Sequence, residues 1–193
     1  MNKGRLEAFS DGVLAIVITI MVLELKAPHE ANLNSLKMLL PVFFSYILSF
    51  IYLGIYWNNH HHLLHTAKSV SGSVLWANLH LLFWLSLIPF VTAWIGENNF
   101  AAVPMALYGT ILLFAAIAYY LLQTLILRRH DKDSMLAKAI GRDLKGKSSI
   151  VLYLIAVPSA FFSIWIAGGI YIFVALMWLI PDKRIEKTLA DSE

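Results

Sequence analysis

The chain has 193 residues, of which 59% are hydrophobic and 14% are charged, whereas soluble domains carry about 25% charged residues. This composition predicts an integral membrane protein and excludes an ordinary soluble domain. The absence of cysteine excludes disulfides, thiol catalysis and thiolate metal sites. The net charge of +3 arises mostly between Arg128 and Lys147, so it indicates membrane topology rather than a nucleic-acid partner.

The first predicted helix, at about residues 4–26, has a polar foot below an apolar stem. The foot contains four polar or charged side chains that lipid solvates poorly, namely Arg5, Glu7, Ser10 and Asp11. The stem from residue 13 to 23 has one hydroxyl, Thr19, and no charge. The start of the chain lacks the apolar core and cleavage site of a secretory signal, so we expect this helix to be retained.

One line along this helix carries four large apolar side chains and one arginine. At 100° per residue, the side chains within about 40° of this line are Arg5, Phe9, Ile16, Ile20 and Leu23, with Thr19 at the edge. Ser10 and Asp11 point well away from the line. We therefore expect these two residues to face supporting helices.

Five further membrane helices are predicted, at about residues 36–57, 74–96, 101–127, 148–167 and 169–181, with a short interfacial helix at about 134–146. The last uncharged stretch is divided at Gly168 and Gly169, which leaves a final leg of about 11 residues. Because this leg is short for a full span, five spans is the alternative to six.

The loop charges favour six spans with both termini in the cytoplasm. In that arrangement every Lys and Arg except Lys26 and Lys37 lies on one side of the membrane, as the positive-inside rule requires. Five spans would place the basic tail outside. We expect a single multi-pass domain in the plasma membrane, with the lipid bilayer as its surroundings.

Polar residues of the second and third helices lie at a depth comparable to that of Asp11. We expect them to hydrogen-bond Asp11 and fix the first helix; they are Trp57, Asn58, His60, His61, Asn78 and His80. Arg5 is expected to pair with Asp11 of its own or an adjacent subunit. His61 and His65 have the i, i+4 spacing of zinc ligands, but no carboxylate lies near them in sequence, so we predict no metal site.

The residues Arg5, Phe9, Ser10 and Asp11 form the pattern RxxxFSD at the start of an apolar first helix. This pattern resembles the signature of the transmembrane protein 175 family of potassium channels. The other Phe-Ser pairs, at Phe44 and Phe162, are not followed by Asp, so the chain resembles the single-repeat prokaryotic form. The resemblance implies an all-α fold of six membrane helices, with the first helix lining a central pore in a homotetramer.

The resemblance also implies roles for the line of apolar side chains. Ile16 would form the first ring of a constriction that passes potassium, and Ile20 and Leu23 would form the next two. Such rings offer no oxygen, so selectivity would rest on the cost of removing water from the ion, and gating on dewetting. Thr19 would either coordinate a partly dehydrated cation or bond back to the carbonyl of Ala15.

Three other interpretations of the sequence compete with a channel, namely ordinary helix packing, a transporter or proton pathway, and an enzyme. Without the motif, Ile16, Ile20 and Leu23 would be interpreted as ordinary bundle core. A secondary transporter or proton-conducting pathway would require carboxylates at mid-depth, and the sequence has none between the helix ends. An enzyme would need a nucleophile pair or a full ligand set, so we predict no enzyme and no cofactor apart from the permeant potassium ion.

Overall fold

The computed structural model describes residues 2–67, 69–128 and 143–179, and nearly all of them are helical. The helices are α1 (Lys3–Ile20), α2 (Leu33–Met38), α3 (Leu40–Thr66), α4 (Gly72–Ser86), α5 (Ile88–Glu97), α6 (Ala102–Leu127), α7 (Leu144–Ser159) and α8 (Ile164–Leu179). A 3-10 turn, Met21–Glu24, continues α1. The all-helical class predicted from the sequence is confirmed for these residues.

Within the described ranges, four segments are long and apolar enough to cross a membrane: Lys3–Glu24, Leu40–Thr66, Gly72–Glu97 and Ala102–Leu127. A shorter apolar helix spans Ile164–Leu179. The chain is therefore a multi-pass membrane protein. α6 packs against α4 and α7, α3 packs against α5, and α1 packs against α3 and α4.

Side-chain caps and prolines explain several helix boundaries. The side chains of Asn2, Ser71 and Asp143 accept backbone N–H groups at the starts of α1, α4 and α7, which satisfies donors that a helix start leaves free. Pro89 lies in the first turn of α5. Because proline cannot donate a backbone hydrogen bond, the third predicted helix is interrupted at Leu87 and becomes α4 and α5.

The second predicted helix has different ends in the structure. It starts at Leu40, with proline in its first turn, and it continues past Trp57 to Thr66. The histidine run is therefore part of α3 rather than a segment that follows it. The extension is stable because Leu63 and Leu64 are buried and because Lys3 Nζ donates to the carbonyl of His65 at 2.5 Å, where a cation complements the helix dipole.

The break between the last two helices was predicted at Gly168 and Gly169. In the structure it lies at residues 160–163. Pro158 occupies the last turn of α7, and the following turn is closed by the Ser163 N–H, which donates to the Ser159 carbonyl at 2.8 Å. Both glycines lie inside α8, where the tertiary packing of the helix outweighs their low helix propensity. The predicted interfacial helix lies mostly outside the described residues.

Tyrosines fill much of the core between α3, α6, α7 and α8. The Tyr52 hydroxyl donates to the Tyr171 carbonyl at 2.6 Å, and the Tyr171 hydroxyl donates to the Met105 carbonyl at 2.9 Å. Gly109 makes the second contact possible, because a Cβ there would lie 2.2 Å from the Tyr171 hydroxyl. These bonds join α3 to α8 and α8 to α6, whereas α1 packs against α3, α4 and α5.

Candidate functional site

The first helix has one buried face and one exposed face. Five side chains pack inward against the chain, namely Leu6, Ser10, Leu14, Val17 and Met21. The opposite face carries Phe9, Ile16, Ile20 and Leu23, which are 49%, 58%, 43% and 73% exposed. The residues of the predicted pore line thus lie together on the exposed surface of the described chain.

The change of winding after Ile20 keeps the line straight. Met21–Glu24 form a 3-10 turn, in which side chains three residues apart eclipse one another. Leu23 therefore lies directly beyond Ile20, on the side of the helix that also carries Ile16. This turn was not predicted from the sequence, which extended the α-helix to about residue 26.

Thr19 bonds back to its own helix. Its hydroxyl lies 2.9 Å from the Ala15 carbonyl and 3.0 Å from the Ile16 carbonyl, so its hydrogen is used within the turn. The residue is exposed at the edge of the pore line. The oxygen therefore keeps acceptor capacity on the exposed side of the helix.

A buried chain of hydrogen bonds fixes the polar foot of α1. Asn78 Nδ2 donates to Ser10 Oγ at 2.9 Å, and Ser10 Oγ donates to the Leu6 carbonyl at 2.9 Å. Asn78 Oδ1 lies 2.6 Å from His60 Nε2. Because the Asn78 oxygen can only accept, His60 Nε2 must carry a hydrogen, so this chain joins α1, α4 and α3.

Asp11 has a different partner from those of Ser10. Its Oδ1 accepts the indole N–H of Trp57 at 3.1 Å, so α3 holds this carboxylate from the side. The expectation that Asn78 and His80 bind Asp11 is wrong, because Asn78 binds Ser10 and the His80 ring accepts from Trp84 at 2.9 Å. Each polar group pairs with the neighbour that its helix face reaches.

Arg5 does not pair with Asp11 of its own chain. Across the described ranges, the ion pair that forms is Lys26–Glu97, at 3.2 Å and on the surface. Arg5 is exposed next to Phe9. It cannot reach Asp11 easily, because the two side chains leave the helix about 120° apart. A partner for Arg5 in an adjacent subunit stays a prediction.

The remaining residues of the histidine run lie at the surface. Asn58, His61 and His65 are exposed, and the His61 ring stacks on Trp57 with 6.4 Å between centroids. Within the described ranges, no group of three His, Cys, Asp or Glu side chains is arranged to hold a metal ion. His61 therefore lies beside the Trp57 bond to Asp11 without joining it.

A second polar chain, which was not singled out in the sequence, crosses the bundle near α5. Thr92 Oγ1 donates to Ser49 Oγ at 2.7 Å, and Ser49 Oγ donates to the Tyr108 hydroxyl at 3.1 Å. The spacing of Ser45, Ser49 and Tyr52 on one face of α3 was the signal available in the sequence. These hydrogen bonds hold α5 against α3, and α5 in turn packs against α1.

Glu7 was also missed as a site residue. One of its carboxylate oxygens, Oε1, is buried without a hydrogen-bond partner in the described part of the chain. Its neighbour on the same helix, Ser10, is fully satisfied. In the polar foot, the hydrogen bonds of Ser10 are therefore satisfied and those of Glu7 are not, within the described residues.

Comparisons with known proteins agree with the motif. Residues 5–89 match the family model described as endosomal/lysosomal potassium channel TMEM175. A potassium channel of Chryseobacterium sp. (strain P1-3) is 58% identical over the full length of both chains. The human endosomal/lysosomal proton channel TMEM175 is 38% identical over 96 residues, which cover 43% of this chain and 19% of the human protein.

A solved structure also has the same fold. It is a crystal structure of a lysosomal potassium-selective channel TMEM175 homolog from Chamaesiphon minutus, and it is 29% identical to this chain. The two superpose with a TM-score of 0.80 over 92% of this chain and 96% of the other. The chain therefore belongs to the TMEM175 family of ion channels, as the RxxxFSD pattern indicated.

Proposed function

We propose that the chain is a potassium-selective channel in which α1 helices from four copies surround a central pore. The main support is the exposed line of apolar side chains at Ile16, Ile20 and Leu23. The buried face of the same helix is fixed by hydrogen bonds to α4 and, through Asn78, to α3. A single chain cannot enclose a pore with one helix. The relatives named as potassium channels support the choice of ion.

The constriction acts through the cost of dehydration. Four copies of Ile16 would form a ring that offers no oxygen to an ion, so a cation must lose part of its water to pass. This loss costs less for potassium than for sodium, and a narrow apolar ring also closes by dewetting. Thr19 keeps an acceptor next to the ring, since its hydrogen is directed to the Ala15 and Ile16 carbonyls.

The membrane arrangement that we propose has six spans in the plasma membrane, with both termini in the cytoplasm. α7 and α8 have 16 residues each, which gives a length of about 24 Å at 1.5 Å per residue. The hydrocarbon core is about 30 Å thick, so helices of this length span it where the bilayer is locally thinner. The split of basic residues between the two sides supports the orientation.

Ion flux into liposomes tests the proposal, with Ile16→Asn as the decisive variant. The amide binds water and cations, so the ring should become wet and the preference for potassium over sodium should weaken while current persists. The matched control is Ile18→Asn, because Ile18 is half-buried and packs against the chain. The control should impair folding rather than change selectivity.

Reversal potentials under bi-ionic potassium and sodium distinguish the outcomes. An unchanged reversal potential for Ile16→Asn in a conducting tetramer would remove Ile16 from the constriction. Strict coupling of potassium movement to another gradient would identify a transporter instead of a channel.

The human relative named as a proton channel supports a second candidate function, which is proton conduction through the same pore. A pH-sensitive dye inside the liposomes tests it. With potassium replaced by an impermeant cation, acidification of the lumen that follows an imposed pH gradient would show that protons pass. A stable lumen pH, together with potassium flux, would limit the channel to metal cations.

A further inference from the structure

A groove runs along α1 next to the pore line. It has a volume of about 890 Å³ and lies between α1 and the α4–α5 segment; its walls include Val13, Ile16, Ile20, Ser86, Phe90 and Trp94. Glu24 and Glu97 lie at its outer end, and the remaining wall residues are uncharged. The groove has two constriction residues in one wall, so whatever fills it contacts the proposed pore directly.

The opposite flank of α1 has the complementary shape. Ala8, Gly12, Ala15 and Thr19 follow one another at helical spacing and are all exposed. This flank lies about 75° from the pore line in one direction, and the groove wall formed by Val13 and Val17 lies about 75° away in the other. A Cβ added to Gly12 would have no atom of the chain within 4 Å.

Rotational symmetry brings two different surfaces of the chain together at each interface, and the groove and the small-residue flank are two such surfaces of α1. In a ring of four chains the interface is heterologous, so one surface of each subunit contacts a different surface of the next. Small residues let membrane helices approach closely, and bulky Phe90, which is 60% exposed, forms the far wall of the groove. If a lipid chain filled the groove instead, no protein would separate Ile16 and Ile20 from the surrounding bilayer on that side.

We propose that the α1–α5 groove of each subunit receives the part of this flank around Ala15 from α1 of the next subunit. This inference rests on the proposed tetramer and specifies how its subunits meet. The arrangement would place Ala15 against Ser86 of the neighbour. Both lie about 16 Å below the outer end of the groove at Glu24 and Glu97, at rises of 1.5 Å per α-helical and 2 Å per 3-10 residue.

Cysteine cross-linking tests the contact, and the chain has no native cysteine to interfere. The double variant Ala15→Cys/Ser86→Cys changes side chains of nearly the same size and should oxidise to bands of two, three and four chains. Each single variant should stay monomeric on a denaturing gel, and the two singles expressed together should give a two-chain band. The matched control, Ala15→Cys/Val151→Cys, pairs the same site with an exposed residue of α7 and should not cross-link.

Sizing and potassium flux of the same preparations separate the two proposals. A conducting tetramer without the cross-linked bands would overturn the groove contact and leave the channel proposal intact. Dimer bands from Ala15→Cys alone would also overturn it, because identical flanks would then meet. A protein that is not tetrameric would overturn both proposals.

Discussion

Replacement of Asn78 by leucine tests whether the buried chain of hydrogen bonds holds α1 in place. Asn78 is fully buried and connects Ser10 to His60. Leucine has the same branched arrangement of heavy atoms, so the change removes two hydrogen bonds without leaving a cavity. His60 then has a buried N–H without an acceptor, and Ser10 keeps its bond to the Leu6 carbonyl.

The expected magnitude follows from the environment of these bonds. A buried donor left without a partner costs about 1–3 kcal/mol in proteins generally. Hydrogen bonds between membrane helices contribute less, about 0.6 kcal/mol on average and up to about 1.7. For two bonds, we expect Asn78→Leu to lower the free energy of unfolding by about 1–3 kcal/mol.

A double-mutant cycle in detergent measures the specific part of this effect. His60→Phe/Asn78→Leu removes both partners, so it should cost about 1 kcal/mol less than the sum of the two single changes. Thr110→Ala is the control, because the Thr110 hydroxyl donates to the Ala106 carbonyl of its own helix. Additivity of the two single changes within about 0.3 kcal/mol would refute the coupling between His60 and Asn78.

Asp11→Ala should lower stability by about 1–2 kcal/mol through loss of the bond from the α3 indole, as measured by chemical denaturation; an unchanged stability would contradict this. Gly96→Ala should impair folding, because a Cβ there would lie 2.5 Å from backbone of α3, whereas Gly169 has open space and its alanine variant should fold normally in a thermal assay. For topology, a cysteine at Asn98 should react with an impermeant reagent from outside and one at Ser71 should not; the reverse pattern would invert the proposed orientation.

The sequence by itself determined the protein class, the family and which apolar side chains of α1 share one exposed line. Composition fixes the membrane environment, because lipid tolerates few charges, and a regular helix fixes which side chains share a face from their spacing alone. Ile16 and Ile20 therefore fall on one exposed line in the structure as they do on a helical wheel. The family followed from the RxxxFSD motif and is confirmed by the full-length relative.

Only the tertiary structure decided where the helices break and which polar groups meet. The last hairpin turns after Pro158 rather than at the two glycines, because packing of α8 against its neighbours outweighs the propensity of Gly168 and Gly169. Likewise, Asn78 reaches Ser10 and leaves Asp11 to Trp57. Partners across helices depend on the rotation and depth of each helix in the bundle, and the local spacing of residues in one chain segment does not contain that information.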